Sequence, residues 1–239
     1  MTMPETAAAE PRDTKLKLLL AAERLFALQG IDAVSLRQIT LAAGQRNESA
    51  LHYHFGSREA LIEAVFALRM SAIDARRNAM LDRFEAEGTA DDLRALVAAI
   101  VWPLSTPIRD GAGPNYYNRF LAQAQQSPTV DIDRLVRGKY DSGIQRILAL
   151  LARLLDGLPE RLFRQRVVSV VASLVYGIAD IEQVMAQRRE QGREFDVDRA
   201  IENLIDMAAA ALAAPVSPAT RARLEAGGEP GYNSGEETA

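Results

Sequence analysis

SLRQITLAAGQRNESALHYHF, residues 35–55, contains two short helical patterns separated by a glycine. Ser35, with a glutamine three residues later, has the capping-box signature of a helix start. Gly44 ends this first helix, because glycine readily takes the left-handed conformation of a C-terminal cap. Asn47 or Ser49 can cap the second helix. Two short helices joined by a glycine turn predict a helix-turn-helix, whose second helix fits the major groove of DNA.

The sequence around this motif, residues 14–68, resembles the N-terminal DNA-binding domain of TetR-family transcriptional regulators. The matching pieces are LF at 25–26, QG at 29–30, VSLRQI at 34–39, AAG at 42–44, Leu51, YHFGS at 53–57 and REAL at 58–61. Each piece alone is weak, and their combination in this order is specific. One departure is that the turn at residues 45–50 is one residue longer than is usual in the family, so base contacts by residues 47–50 need not follow the family's pattern.

Ten residues of this domain are predicted to contact DNA. Phosphate contacts, which position a protein without reading sequence, are predicted for Ser35, Arg37, Tyr53, His54 and Arg58. Base contacts are predicted for the exposed face of the second helix, namely Asn47, Glu48, Ser49, Ala50 and His52. The resemblance implies the same division, with the position of His52 facing bases and the positions of Tyr53, His54 and Arg58 near the backbone.

The composition is that of an ordinary globular protein without disulfide bonds. Of the 239 residues, 48% are hydrophobic and 25% are charged, and the net charge is −4. A net acidic chain can still bind DNA, because a local basic patch is sufficient. The absence of cysteine excludes disulfides and thiolate metal sites, and fits a reducing cytoplasm. We find neither a 20-residue apolar run nor a signal-peptide pattern, so we expect a cytoplasmic protein without a membrane span.

Helical periodicity dominates the chain, and we predict an all-α fold of about nine helices. Outside the helix-turn-helix, the predicted helices span residues 14–28, 57–86, 90–101, 115–126, 131–155, 160–189 and 196–213. Two prolines, Pro103 and Pro107, are expected to end the fifth helix, leaving residues 104–114 as a loop. The predicted organisation is a flexible arm (1–12), a helix-turn-helix domain (13–60), a helical effector-binding and dimerisation domain (61–213) and a disordered tail (214–239).

Aromatic residues interleaved with polar groups in the second domain suggest a small-molecule site. The candidates are Trp102, Tyr116, Tyr117, Arg119, Phe120, Tyr140 and Tyr176. The resemblance implies an effector site between helices 4 and 8, and the aromatics suggest an apolar or aromatic ligand. The alternative is that each aromatic is an ordinary core residue, and that Arg119 is a surface charge rather than an anchor for an anionic group.

The last two long helices carry wide apolar stripes, which are typical of helices buried on two sides. Two such helices from each of two subunits would form a four-helix bundle. The predicted interface residues are Val167, Val171, Leu174, Ile178, Ile181, Ile201, Leu204 and Ile205. A homodimer interface at this place is also what the resemblance implies. The alternative is packing within one subunit.

The sequence shows no catalytic or metal-binding constellation. His52 and His54 are the only histidines, and two residues apart on a helix they point in opposite directions, so they cannot share an ion. We therefore expect no cofactor and no enzymatic activity. The favoured interpretation is a homodimeric, ligand-responsive repressor that binds a palindromic operator in double-stranded DNA. The alternatives are a regulator that responds to a protein or to no ligand, an all-α enzyme, and a purely structural helical protein.

Overall fold

A computed structural model describes residues 11–109 and 115–226, and within these ranges all regular structure is helical. The all-α prediction is confirmed, with eleven helices in the described ranges rather than nine. They are α1 (Pro11–Gln29), α2 (Leu36–Ala42), α3 (Ser49–Phe55), α4 (Arg58–Glu87), α5 (Leu93–Arg109), α6 (Tyr117–Gln126), α7 (Ile132–Val136), α8 (Ser142–Leu154), α9 (Glu160–Glu190), α10 (Val197–Ala213) and α11 (Pro218–Glu225).

The first three helices and the start of α4 form a small head, whose buried apolar residues are continuous with the core of the body. Leu18 and Phe26 of α1, Leu51 of α3 and Phe66 of α4 are fully buried in the head. Ser57 caps α4, its hydroxyl accepting a hydrogen bond from the N–H of Ala60 (3.1 Å). Since α4 continues for 30 residues without interruption, the head is joined to the body by one continuous helix.

The prediction that prolines end the fifth helix is wrong, because α5 continues through Pro103 and Pro107 to residue 109. A proline inside a helix leaves the carbonyl four residues earlier without its N–H donor. For Pro103 that carbonyl belongs to Ala99, and it accepts a hydrogen bond from Nε of the buried Arg77 (3.4 Å). Of the predicted loop at 104–114, residues 104–109 are therefore helical, and residues 110–114 lie outside the described ranges.

The predicted helix at 131–155 is interrupted, giving α7 and α8. Gly138 has φ of +70°, and its N–H donates to the Asp141 carboxylate (3.0 Å). The start of α8 then rests on Asp74 of α4, which accepts hydrogen bonds from the N–H of Gly143 (2.9 Å) and the hydroxyl of Ser142 (2.7 Å). A Cβ on Gly143 would lie 2.9 Å from Arg77, so this close approach needs glycine. The break changes the direction of the chain between α7 and α8, and α8 packs on α4.

Both ends of the chain contain more helix than predicted. The arm predicted at 1–12 lies outside the described residues as far as residue 10, and α1 already begins at Pro11, a residue favoured at the first helical position. The tail predicted as disordered from 214 contains α11. Ser217 caps it, accepting from the N–H of Thr220 (3.2 Å), and Pro218 follows at the first helical position. The Gly-, Pro- and Glu-rich composition of the tail predicts disorder, although this Ser-Pro helix start is present in it. Residues 227–239 lie outside the described ranges.

Helix α6 lies against both the head and the body, packing on α1 and on α9. The ring of Phe120 is 6.1 Å from that of Phe26 in α1 and 4.9 Å from that of Phe66 in α4. Beyond the end of α6, the hydroxyl of Thr129 donates to the carboxylate of Asp32 in the head (2.6 Å). The head is thus attached to the body through α6 as well as through α4.

Candidate nucleic-acid interface and ligand cleft

Helix α2 and the turn that follows fix the position of α3. Ser35 forms the predicted capping box, in which its hydroxyl accepts from the N–H of Gln38 while the Gln38 side chain accepts from the N–H of Ser35 (2.7 Å). Gly44 has φ of +73°, as a turn between two short helices requires. Asn47 accepts from the N–H of Ser49 (3.1 Å), which satisfies one free donor at the start of α3. Gly44 thus does what the sequence predicted, whereas the N-cap residue of α3 is Glu48, which forms no side-chain cap, rather than Asn47 or Ser49.

Helix α3 has a buried side and an outward side. Leu51 is fully buried, and Ala50 and Phe55 pack partly against the core. The outward side presents His52 and Tyr53, and Tyr53 has 85% of its surface exposed. An 85% exposed tyrosine has no packing role in one subunit, so this face is available to a partner.

The other predicted DNA contacts surround this outward face, and they differ in how exposed their side chains are. Ser35, Arg37, Asn47 and Ser49 are exposed, and Glu48 and His54 are half-buried. The ring of His54 lies edge-on to that of Tyr53 (5.1 Å). Glu48 lies 3.9 Å from Nε2 of His52, one turn along α3.

The guanidinium of Arg58, another predicted phosphate contact, is already bonded within the head. Nη1 donates to the carbonyl of Val34 (2.6 Å), Nη2 donates to the carbonyl of Ile31, and the group lies 5.4 Å over the ring of Phe26. Val34 and Ile31 belong to the segment between α1 and α2, and Phe26 belongs to α1. Arg58 therefore holds the start of α4 against the rest of the head, and its phosphate contact stays a prediction that would have to use its remaining N–H donors.

Two family models match the chain, and together they cover the head and the body. The family described as "Bacterial regulatory proteins, tetR family" matches residues 18–65, and "Tetracyclin repressor-like, C-terminal domain" matches residues 98–211.

The chain belongs to the TetR family.

It is accordingly a DNA-binding transcriptional regulator and not an enzyme.

Solved structures with the same fold include a TetR-family transcription regulator from Marinobacter aquaeolei VT8, 20% identical with a TM-score of 0.54 over 84% of this chain and 95% of that one. Native NalD of Pseudomonas aeruginosa, the secondary repressor of the MexAB-OprM multidrug efflux pump, is 20% identical with a TM-score of 0.50 over 83% and 96% of the two chains. At this identity the likeness concerns the fold. No curated protein matches the chain.

In the described part of this TetR-family chain, two of the clefts in the body lie near the end of α9. The larger, about 820 Å³, lies between the end of α9 and the start of α10, and its walls are mostly exposed charged side chains such as Arg193, Glu194 and Asp198. The smaller, about 350 Å³, lies between α5, α6 and α9. Its walls include half-buried Tyr116 and Arg119, and the buried carboxylate of Glu182. We call this smaller one the α6 cleft. Its mixture of apolar and oriented polar groups is the better match to a ligand site.

Most of the predicted ligand residues are not in this cleft. Tyr116 and Arg119 line it, whereas Tyr117 and Phe120 are fully buried core residues. The remaining three aromatics line neither cleft: Trp102, Tyr140 and Tyr176. The hydroxyl of Tyr176 donates instead to the carbonyl of Ala122 (3.2 Å), fastening α9 to α6. For most of these aromatics, core or interhelical packing, the alternative left open by the sequence, describes the structure.

The hydroxyl of Tyr117 is buried and has no hydrogen-bond partner among the described residues. Burial, together with the nearby carboxylate of Glu23, raises its pKa far above the ordinary value. Glu23 itself is buried and paired with Arg69 of α4 (3.1 Å). A polar group at the centre of the α1–α4–α6 contact is therefore kept neutral.

Glu182 is a functional candidate that the sequence reasoning missed. Its side chain is 2% exposed and accepts hydrogen bonds from Arg119 Nε (2.9 Å), Asn118 Nδ2 (3.1 Å) and Asn115 Nδ2 (3.3 Å). Burial raises its pKa to about 7, and the bonds from Arg119 and Asn118 oppose that rise. A signal was present, because Glu182 is a lone acid four residues after Ile178 on the apolar stripe of α9.

The predicted dimer residues divide into two groups. Leu174, Ile178, Ile181, Ile201 and Ile205 are buried within the subunit, so they cannot form a surface between subunits. Val167, Val171 and Leu204 are half-buried. Among the described residues, the large hydrophobic side chains that α9 and α10 expose are Val168 (52%), Tyr176 (39%) and Met207 (61%).

Helix α9 is also long and apolar enough to cross a membrane, with a mean hydropathy of 1.5, and 39% of that window is buried. Helices α10 and α11, bent by 50°, meet the same criterion only as a pair. Apolar core helices of soluble proteins also meet it, so length and hydropathy alone carry little weight. No group of three or more potential metal ligands occurs among the residues that the structure describes.

Proposed function

We propose that the chain is a homodimeric repressor that binds an inverted-repeat operator through α3 and is released by a small molecule bound in the body. The observation that carries the proposal is the outward face of α3, where His52 and a highly exposed Tyr53 stand on a helix anchored by buried Leu51. A helix held in this way can enter the major groove without rearranging the head. We place the protein in the cytoplasm, with residues 13–60 binding DNA and residues 61–213 binding the effector and the second subunit.

On this proposal, the contacts of α3 fall into two kinds. His52 and the exposed residues at the start of α3, Asn47 and Ser49, would face base edges, with Glu48 beside them. Tyr53, His54, Ser35 and Arg37 would contact the phosphate backbone. Ala50 is half-buried, which leaves it only a small surface for a thymine methyl group.

Release by an effector requires that the ligand bind better to a conformation that does not fit DNA. The α6 cleft includes the first turn of α6, and the same helix carries Phe120, which touches the head. A ligand that displaces α6 would therefore act on α1 directly, and on α4 through Phe66. A coupling of about 1–3 kcal/mol is typical of allosteric proteins and would change operator occupancy several-fold or more.

The test is selection of sheared genomic DNA by the purified protein at near-physiological salt, followed by sequencing. We expect enrichment of one inverted repeat, with half-site centres about one helical turn apart. Diffuse, salt-sensitive retention of all fragments would contradict sequence-specific binding.

Two variants separate the roles on α3. We expect Tyr53→Ala to weaken binding of all fragments alike, because a backbone contact carries no sequence information. We expect His52→Ala to change the preferred sequence, with a cost of roughly 1–3 kcal/mol at the affected base pair. An equal, uniform loss in both variants would show that these roles are assigned wrongly.

A further inference from the structure

Arg119 is held in one orientation at the wall of the α6 cleft. Its Nε donates to the carboxylate of Glu182 (2.9 Å), and its guanidinium lies 4.8 Å over the ring of Tyr116. The two terminal nitrogens, Nη1 and Nη2, make no hydrogen bond to any residue within the described ranges. A planar guanidinium fixed on one edge and open on the other can bind a carboxylate through two parallel hydrogen bonds.

The carboxylate of Glu182 is not similarly open. It already accepts three hydrogen bonds, from Arg119, Asn118 and Asn115, and is almost fully buried. A cationic ligand would have to displace these donors and would approach Arg119 at the same time. The charge that the cleft offers to a ligand is therefore positive.

The rest of the cleft is apolar on one side and balanced in charge at its rim. Pro107, Ile108 and Met185 contribute apolar surface, while Arg189 and Glu190 at the rim are exposed and carry opposite charges. A volume of about 350 Å³ is at the small end of the range found for ligand sites. This size suits a compact ligand with a single polar end.

We propose that the effector is a small amphipathic monocarboxylate, whose anionic head is bound by the open edge of Arg119 and whose apolar body packs on Pro107, Ile108 and Met185. The proposal rests on the proposed function, and names the ligand class for the same site. Glu182 and Tyr116 are positioning residues in it, since they orient Arg119 and need not touch the carboxylate.

The experiment is calorimetric titration of the full-length protein with two monocarboxylates, octanoate and 3-phenylpropionate, and with neutral 1-octanol and cationic octylamine. We expect at least one carboxylate to bind, and to bind roughly tenfold or more tightly than the alcohol and the amine.

Arg119→Gln should remove this preference for carboxylates. Because that variant leaves Glu182 buried without its cation, the double variant Arg119→Gln/Glu182→Gln is measured beside it, with circular dichroism as the check on folding. Arg188→Gln, an exposed arginine of α9 that lines neither cleft, is the matched control and should bind as the parent does.

Three results would overturn the proposal: no binding of either carboxylate at about 1 mM, equal or tighter binding of the alcohol or amine, or carboxylate binding unchanged in the folded double variant. Operator binding is measured in parallel, so that failure of the proposed ligand class can be distinguished from failure of the proposed release by an effector. Arg119-dependent binding of a carboxylate that leaves the operator complex intact supports the ligand class and contradicts release by effector. Operator binding that is lost in the parent with octanol but not with a carboxylate supports release and contradicts the ligand class.

Discussion

At the scale of single residues, Glu182 is a buried acid whose pKa is set by two opposing effects. Desolvation disfavours its charged form, while Arg119 and Asn118 favour it, and desolvation is the larger effect. The pKa of its carboxyl therefore rises from 4.5 to about 7 on folding. Between these values the folded protein binds one more proton than the unfolded chain, so stability from this group is present at low pH and is lost as pH rises toward 7.

We predict that Glu182→Gln abolishes this part of the pH dependence. The free energy of unfolding of the variant, relative to the parent, should increase as pH rises from about 4.5 to 7, by roughly 2–3 kcal/mol. Urea unfolding at a series of pH values measures it. The control is Glu190→Gln, an exposed acid on the same helix, whose curve should run parallel to that of the parent. A Glu182→Gln curve that also stays parallel to the parent would contradict the raised pKa.

A second prediction concerns Arg58 and Arg37, which the sequence predicts to have the same role, a phosphate contact. Arg58→Ala should lower the free energy of unfolding by about 1–3 kcal/mol, because the carbonyls of Val34 and Ile31 lose a charged donor. Arg37→Ala, at an exposed position, should change stability by less than about 0.5 kcal/mol and weaken binding to all DNA fragments. Thermal unfolding and fragment binding distinguish the two. An Arg58→Ala protein of full stability with weakened DNA binding would contradict the packing role and favour the predicted phosphate contact.

The roles of these residues could be predicted from sequence only where the interaction is local. The capping box of Ser35 and the turn at Gly44 depend on neighbours within a few positions, and both are present as predicted. The partners of Arg58 lie 24 and 27 residues away, and Glu182 is bound by residues more than 60 positions away. No local pattern specifies such distant partners.

At the scale of elements, α5 illustrates how tertiary contacts override a strong local signal. Two prolines predict a helix end, since each removes a backbone hydrogen bond. Arg77 supplies the donor that Pro103 lacks. Its burial disfavours the charged form of the guanidinium and so lowers the pKa of that group. The hydroxyls of Ser105 and Thr106 both donate to the carbonyl of Trp102 (3.0 and 2.9 Å), which adds side-chain hydrogen bonds within the same turns. The donor comes from α4, so it is a tertiary contact that no pattern within α5 specifies.

The contact of α6 with the head leads to a prediction about Phe120. Phe120→Leu should destabilise the protein by about 1–2 kcal/mol, since the aromatic contacts with Phe26 and Phe66 are lost. In amide hydrogen exchange, α1 should lose more protection than α8. Ile147→Val, a similar reduction in the core at α8, should show the reverse order. Equal loss in both helices for both variants would mean that the fold opens as one unit and that α6 is no special link to the head.

At the scale of the whole molecule, the fold class and the head could be predicted from the sequence, whereas the side of α9 that its own subunit covers could not. Periodicity shows that α9 is apolar over much of its circumference, but it does not say which side its own subunit covers. The side with Leu174 and Ile178 is covered from within the subunit. Gly177, a small residue that could have served contact between subunits, lies against Leu204 of the same chain, 2.8 Å from where a Cβ would be. The proposed dimer would therefore have to use the side chains of α9 and α10 that remain exposed.

We therefore predict that dimerisation depends on the outward side of α9 and α10, at Val168 and Met207. Val168→Asp and Met207→Asp each place a charge where a partner would bury it unpaired, which costs several kcal/mol, so self-association should weaken by roughly a hundredfold or more. Both side chains are exposed in one subunit, so circular dichroism should show a folded protein, whereas Leu174→Asp should unfold it. Sedimentation equilibrium measures the association, and operator binding should fall with it because one head contacts one half-site. A dimer that survives both exposed substitutions would place the interface elsewhere, and solubility only in detergent would favour a membrane as the partner of α9.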